Sequence, residues 1–367
     1  MSGARTASGA PGAPGRFVRV DGVPLHVVVE GRGPVCVLSA GLAMAWFDWD
    51  EVAALLVAAG RTVVRFDRPG HGLSAPAAEP PTAAGEAHRI AGLLDALGLG
   101  GAPREELRPV GTAATGPLAG PGPLPASGRA SRRASGPGAP PGPGPAAAGV
   151  TVVGHSIAGF HAEAFARLYP GRTPARLLVD SSVEEAPRAL LPAALRTGAA
   201  RALGRVVTAA GVPAALGPAV RRAVVRASRT GGADPAARDL VRRCYRTGRV
   251  WQGALLENSR YVDAAAEVLA LRATHPLAAP ATVLVGHGGG TGRGALRWLA
   301  RQAELADRLG ARFEVAEPAG HLVMLDRPDQ VARAVLGAAC GISRGRRPSP
   351  PSRLSAPPRG GWPGRPR

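Results

Sequence analysis

In the stretch VTVVGHSIAGFHAEAF, from Val150 to Phe165, a serine stands between Gly154 and the small pair Ala158 and Gly159. An apolar run gives way to a helical period at that point. A strand that turns so abruptly into a helix strains the backbone of its corner residue, and bulky side chains two positions to either side would clash. The turn lifts the Ser156 hydroxyl clear of the sheet and sets the positive end of helix 157–169 beneath it. Serine is also a good helix cap, so the turn alone leaves two readings. The chemical one is nucleophilic attack, which a hydroxyl performs only when a base takes its proton. The chain holds eight histidines. Three occupy turns of interest: His155 beside the serine, His71 in RPGHG, and His321 in PAGH ahead of the last helical segment. A base in turn needs a carboxylate to orient it. Asp180 closes the run LLVD, with Glu184 and Glu185 behind it; Asp67, Asp307 and Asp326 are further acids near these motifs.

The elements that must position these groups alternate in type. RFVRV and LHVVVEG read as short strands around a DGVP turn. PVCVLSAG is a continuous apolar run of the kind buried on both faces of a sheet. A helix (DEVAALLVAAG), a strand (TVVRFD) and an amphipathic helix (EAHRIAGLLDALGLG) follow. After the serine come ARLLVDS, a helical Ala/Arg-rich region over 184–275, the strand ATVLVG, a helix, the strand RFEVAE and a last helix, RPDQVARAVLGAA. Such alternation predicts an α/β fold, a mostly parallel central sheet with helices on both faces. Ligands of such sheets sit at the carboxyl ends of the strands.

Three motifs carry a resemblance: FDRPGHGLS (66–74), GHSIAG (154–159) and GHLVMLDRPDQV (320–331). In this order and between these elements, they make the chain resemble proteins of the α/β-hydrolase fold over residues 16–341, apart from the Pro/Gly-rich insertion. Ala158 replaces the consensus glycine of the serine turn and is small enough to keep it. The resemblance implies Ser156 as nucleophile and His321 as general base. It implies an oxyanion hole from the backbone N–H groups of Ile157 and Leu42, although Ala40-Gly41 stand where relatives often carry His-Gly. The acid usually follows the strand ATVLVG, where this chain has Gly288. Some relatives place it after the strand that follows the nucleophile helix, which selects Asp180. Residues 184–275 occupy the place of a helical cap, and the apolar positions between its arginines point to an apolar underside. The expected function is a cofactor-independent serine hydrolase of carboxylic ester or related acyl bonds, acting on a small, apolar acyl substrate. The alternative is a binding or regulatory protein on the same scaffold. Another acyl or C–C chemistry on the same residues stays open, because fold does not fix function.

Composition narrows the classes. The formal charge is +19, and all 45 basic residues are arginine. No recognition motif with interleaved aromatics accompanies them, so no specific nucleic-acid partner is expected. Cys36, Cys244 and Cys340 have neither metal-ligand nor disulfide spacing, so neither metal nor cofactor is expected. The first sixteen residues lack the apolar core of a signal peptide, and no apolar run reaches 18 residues; a cytoplasmic protein without a transmembrane segment is expected. The Gly/Ala/Pro leader (1–15), the Pro/Gly-rich insertion (101–149) and the arginine-rich tail (342–367) read as disordered by composition. Deleting 103–146 is therefore expected to shift the melting temperature by no more than about 2 °C, since long surface insertions change closure entropy little. A large drop in a thermal melt would refute this.

Overall fold

The computed structural model describes residues 7–8, 14–99, 149–184 and 186–340. Most of the leader, nearly all of the 101–149 insertion, Glu185 and the 342–367 tail lie outside the described residues. At the N-terminus, β1 (Ala7–Ser8) pairs antiparallel with β2 (Arg16–Val20), inside the leader that composition left without an element. β2 returns through Asp21-Gly22 into β3 (Val23–Glu30). Both turn residues have positive φ, 49° and 78°, the backbone of a two-residue hairpin turn.

The parallel part is built from β4 (Val35–Ser39), β5 (Thr62–Phe66), β6 (Thr151–His155) and β7 (Ala175–Val179). Every residue of these four strands is buried, the expected state of a parallel strand covered on both faces. β8 (Ala281–Gly286) and β9 (Arg312–Ala316) complete the sheet, whose order is β1-β2-β3-β5-β4-β6-β7-β8-β9. Only β1, β2 and β3 run antiparallel to their neighbours.

Helix α1 (Asp50–Ala58) packs with the terminal helices α10 (Val323–Asp326) and α11 (Pro328–Cys340) around one apolar cluster, built on Leu38, Leu56, Val153, Leu177 and Val335. On the opposite face α2 (Ala83–Ala96) and α3 (Ala158–Leu168) share a second cluster with α9 (Arg293–Arg308), built on Leu94, Phe165, Leu178, Val283 and Leu305. The sequence reading missed α10, a single turn that directly follows His321.

Between β7 and β8 the chain forms five helices: α4 (Ala193–Ala209), α5 (Val212–Ser228), α6 (Arg238–Tyr245), α7 (Gly248–Ser259) and α8 (Tyr261–Thr274). Their packing decides which face of α4 is buried. The underside of α4 is Thr197, Ala200 and Gly204, not its bulky apolar residues. A Cβ on Gly204 would press on Gln252 of α7, and one on Gly217 of α5 would strike the Tyr245 backbone. Small residues let the helices approach closely, and Leu195, Leu203 and Val206 of α4 are left exposed.

Candidate active site

Four of the expected site residues meet at the carboxyl ends of the parallel strands: Leu42 after β4, Ser156 after β6, Asp180 after β7 and His321 after β9. Ser156 has φ 54°, a left-handed conformation that a non-glycine residue adopts only under constraint. The constraint comes from both sides. Ser156 N–H donates to Val179 O (3.1 Å), and Ser156 O accepts from Ser182 N–H (3.0 Å) and Gly159 N–H (2.9 Å). A Cβ on Gly154 would run into the Ala158 carbonyl, and one on Gly159 into Ser181, so neither glycine can be exchanged. Ala158 fits without displacing the turn.

Asp180 also has positive φ, 41°, and is buried. Its Oδ2 lies 2.5 Å from His321 Nδ1. Its Oδ1 accepts from Gly286 N–H (3.1 Å) and from the Trp298 indole N–H (2.9 Å). A carboxylate with one oxygen so committed presents the other in a fixed direction. Gly288, at the usual place of the acid, has no side chain to contribute. Next to it His287 pairs with Glu317 at the surface.

The loop carrying His321 is held by Asp326, which accepts from Gly320 N–H (2.8 Å), Thr230 N–H (3.0 Å) and Arg229 Nε (2.8 Å). His155 is buried, and its Nε2 donates to His321 O at 2.9 Å. Because a carbonyl only accepts, the proton sits on Nε2, and Nδ1 is left without a partner. Burial above all, then the neighbouring His321, pushes His155 well below its ordinary pKa. Its neutral ring lies 4.7 Å from the His321 ring, centroid to centroid. His155 thus packs under His321. The His321 side chain itself is 41% exposed. No hydrogen bond joins Ser156 Oγ to His321 among the described residues.

The Leu42 loop is fixed by four side chains. Ala43 has φ 57°, and its carbonyl accepts from the Tyr245 hydroxyl (2.7 Å). Asp48 accepts from Ala45 N–H (2.8 Å), and Asp67 from Trp46 N–H (3.0 Å). Arg68 donates to the carbonyls of Ala40 and Gly41, the latter at 3.0 Å. Neither Leu42 N–H nor Ile157 N–H has an acceptor among the described residues. Both are free to bind an anionic oxygen.

Arg68, a buried residue at the base of the Leu42 loop, was not singled out by sequence reasoning, although it stands in the motif FDRPGHGLS. It forms a two-pronged ion pair with Glu257 of α7, 2.9 Å from Nε and 2.8 Å from Nη2, with both side chains buried. His71 Nε2 lies 3.2 Å from the same carboxylate. Burial opposes the charged form of Glu257, but Arg68 and His71 outweigh it and hold its carboxyl well below the usual range. Arg221 of α5 plays a parallel role, pairing with Asp48 and Asp234 while donating to the Tyr245 hydroxyl. Glu257 gives no sequence signal. It stands 189 residues from Arg68, in a helix whose period looks like any other.

An apolar cavity of about 410 Å³ opens beside the Leu42 loop, lined by Leu42, Met44, Val220, Val224, Trp251 and Leu255. A larger, polar cavity of about 660 Å³ lies on the other side of α7, with Arg68, His71, Arg201 and Arg249 in its wall. Among the described residues no group of His, Cys, Asp and Glu has the arrangement of a metal site.

His161 of α3 is buried near this network, and its Nδ1 has no partner. Burial first, then the Arg68 charge, pushes it down to about 3. A histidine depressed in this way stays neutral in the fold, while the unfolded chain takes up a proton below 6.5. Stability is therefore full above that value and falls as the pH drops toward 3, by about 1.4 kcal/mol per pH unit for this group. In urea titrations, His161→Leu is expected to flatten the loss of stability between pH 7 and pH 5. An unchanged slope would show that other groups carry it.

A family model described as alpha/beta hydrolase family matches residues 36–334. No curated protein matches the chain. Among solved structures the chain is similar to wild-type Cfl2 from Burkholderia cenocepacia (19% identity, TM-score 0.59, covering 88% of this chain and 94% of that one). It is also similar to a thermophilic esterase from Thermogutta terrifontis (19%, 0.58, 89% and 97%). A third is an enol-lactonase from Burkholderia xenovorans (20%, 0.53, 88% and 98%). At these identities the likeness is one of fold.

Proposed function

The chain belongs to the alpha/beta hydrolase family, and from that premise we propose that it is a serine hydrolase of carboxylic ester or related acyl bonds, with Ser156, His321 and Asp180 as its triad. The observation that carries the reading is the 2.5 Å contact between Asp180 Oδ2 and His321 Nδ1. It fixes the imidazole tautomer, with the proton on Nδ1 and the lone pair of Nε2 available to the serine.

In this reading His321 Nε2 takes the Ser156 proton as Oγ attacks the acyl carbon. The N–H groups of Leu42 and Ile157 stabilise the negative oxygen of the tetrahedral intermediate, which is worth most where the donors are already in place. His321 then protonates the leaving alkoxide. Water, deprotonated by the same histidine, releases the acyl group and restores Ser156. The cavity beside Leu42 supplies the apolar contact for the acyl chain, and helices α4–α8 act as a cap over it. The esterase and enol-lactonase activities named for two of the structural neighbours are of the same acyl class.

The test is covalent labelling of the full chain with a fluorophosphonate, read by intact mass and peptide mapping. One adduct on Ser156, absent from Ser156→Ala, is the expected result. A folded protein that takes no label, even with short-chain probes, would favour the binding-protein reading.

A further inference from the structure

Between Glu185 and Asp234 the chain has eight arginines and no acidic residue. Within that stretch lie eight of the twelve large apolar residues exposed among the described residues: Leu190, Leu191, Leu195, Leu203, Val206, Leu216, Val220 and Val224. They are not scattered. Leu195, Leu203 and Val206 recur at helical spacing on the side of α4 opposite its buried Thr197, Ala200 and Gly204. Leu190, fully exposed, and Leu191 precede the helix in the chain. Among the described residues, Arg188, Arg201, Arg205, Arg222 and Arg226 of this stretch have no carboxylate partner, whereas Arg196, Arg221 and Arg229 are paired.

We propose that this outer face of α4, with Leu190 and Leu191, docks on an anionic lipid membrane surface. A helix with bulky apolar residues outward and arginines on its flanks is suited to lie in the plane of a bilayer interface, where the apolar side chains enter the acyl boundary and the guanidinium groups meet phosphate. No single helix among the described residues is long and apolar enough to cross a membrane, and α4 and α5 meet at a bend of 105°. Only taken together, as this bent pair, do α4 and α5 have the length and composition of a span, and the arginines that flank the α4 face suit the bilayer interface. A second copy of the same face is a poor occupant, because the two would bring arginines against arginines with no acid between them. Val220 and Val224 of α5, the next helix, are exposed and also stand in the wall of the apolar cavity. If the acyl-hydrolase reading holds, docking brings the cavity to the membrane surface. The docking itself is independent of that reading.

The experiment is vesicle flotation with the full chain, which includes the arginine-rich tail. Vesicles of phosphatidylcholine with about 30 mol% phosphatidylglycerol are compared with pure phosphatidylcholine, at about 150 mM salt. Wild type is expected to float with the anionic vesicles, and Leu195→Ser/Leu203→Ser/Val206→Ser to lose about tenfold in partition. The three sites are exposed, so an unchanged thermal melt certifies the fold of the variant. Arg201→Gln/Arg205→Gln is expected to weaken binding and make it less sensitive to salt, since fewer phosphate-paired charges remain to be screened. Equal flotation of wild type and the triple serine variant would overturn the proposal, since charge alone, including that of the tail, would then account for binding. So would a wild type that ignores both vesicles, or one that instead forms a dimer that the serine variant abolishes.

Discussion

Asp180→Asn is expected to lower kcat for a short-chain aryl ester by about 10⁴-fold while leaving the melting temperature within a few degrees of wild type. The amide keeps the shape of the carboxylate and can still accept from Gly286 N–H and Trp298. What it loses is the charge that fixes the Nδ1 proton of His321 and stabilises the imidazolium. With the wrong tautomer, Nε2 carries a proton and cannot accept one from Ser156. Ser156→Ala removes the nucleophile itself and is expected to cost more, on the order of 10⁶-fold, with KM little changed. Because triad members act as one unit, the double variant should be no worse than Ser156→Ala. A fall of less than tenfold for Asp180→Asn, measured by steady-state kinetics, would remove Asp180 from the triad and leave His321 without its acid.

The second large effect is on stability. Glu257→Gln leaves the Arg68 guanidinium buried and without its counter-charge, which costs about 3–5 kcal/mol in comparable buried pairs. Arg68 also holds the carbonyls of Ala40 and Gly41, so the same change loosens the loop that carries Leu42 N–H, and kcat should fall with stability. Replacing both partners by apolar residues, Arg68→Met with Glu257→Leu, is expected to restore much of the stability but not the activity. That asymmetry separates a positioning role from a purely structural one. The pH dependence has a definite sign. The Glu257 carboxyl is depressed in the fold, so its contribution is present above its ordinary pKa and is lost as the pH falls toward the folded value. Urea titrations at pH 7 and pH 4 on wild type and Glu257→Gln check it, the variant showing the smaller acid loss.

The order of strands and helices was legible in the sequence because it rests on local physics. Fully buried parallel strands read as unbroken apolar runs, as VCVLS and TVVRF do, and helices carry their own period. The serine turn was legible for the same reason: Gly154 is small because the Ala158 carbonyl, four residues on, leaves no space for a side chain. The hidden choices were those between residues far apart in the chain. Asp180 and His321 are separated by 141 residues, and the sequence offered several carboxylates for one histidine. Only the pairing of β7 with β8, and of β8 with β9, brings one of them to Nδ1 and binds its other oxygen to Gly286 and Trp298. The outward apolar face of α4 was equally hidden. A helical period tells which residues share a face, but not which face meets the protein, and here close approach to α7 selected the small residues for burial and left the large ones outside.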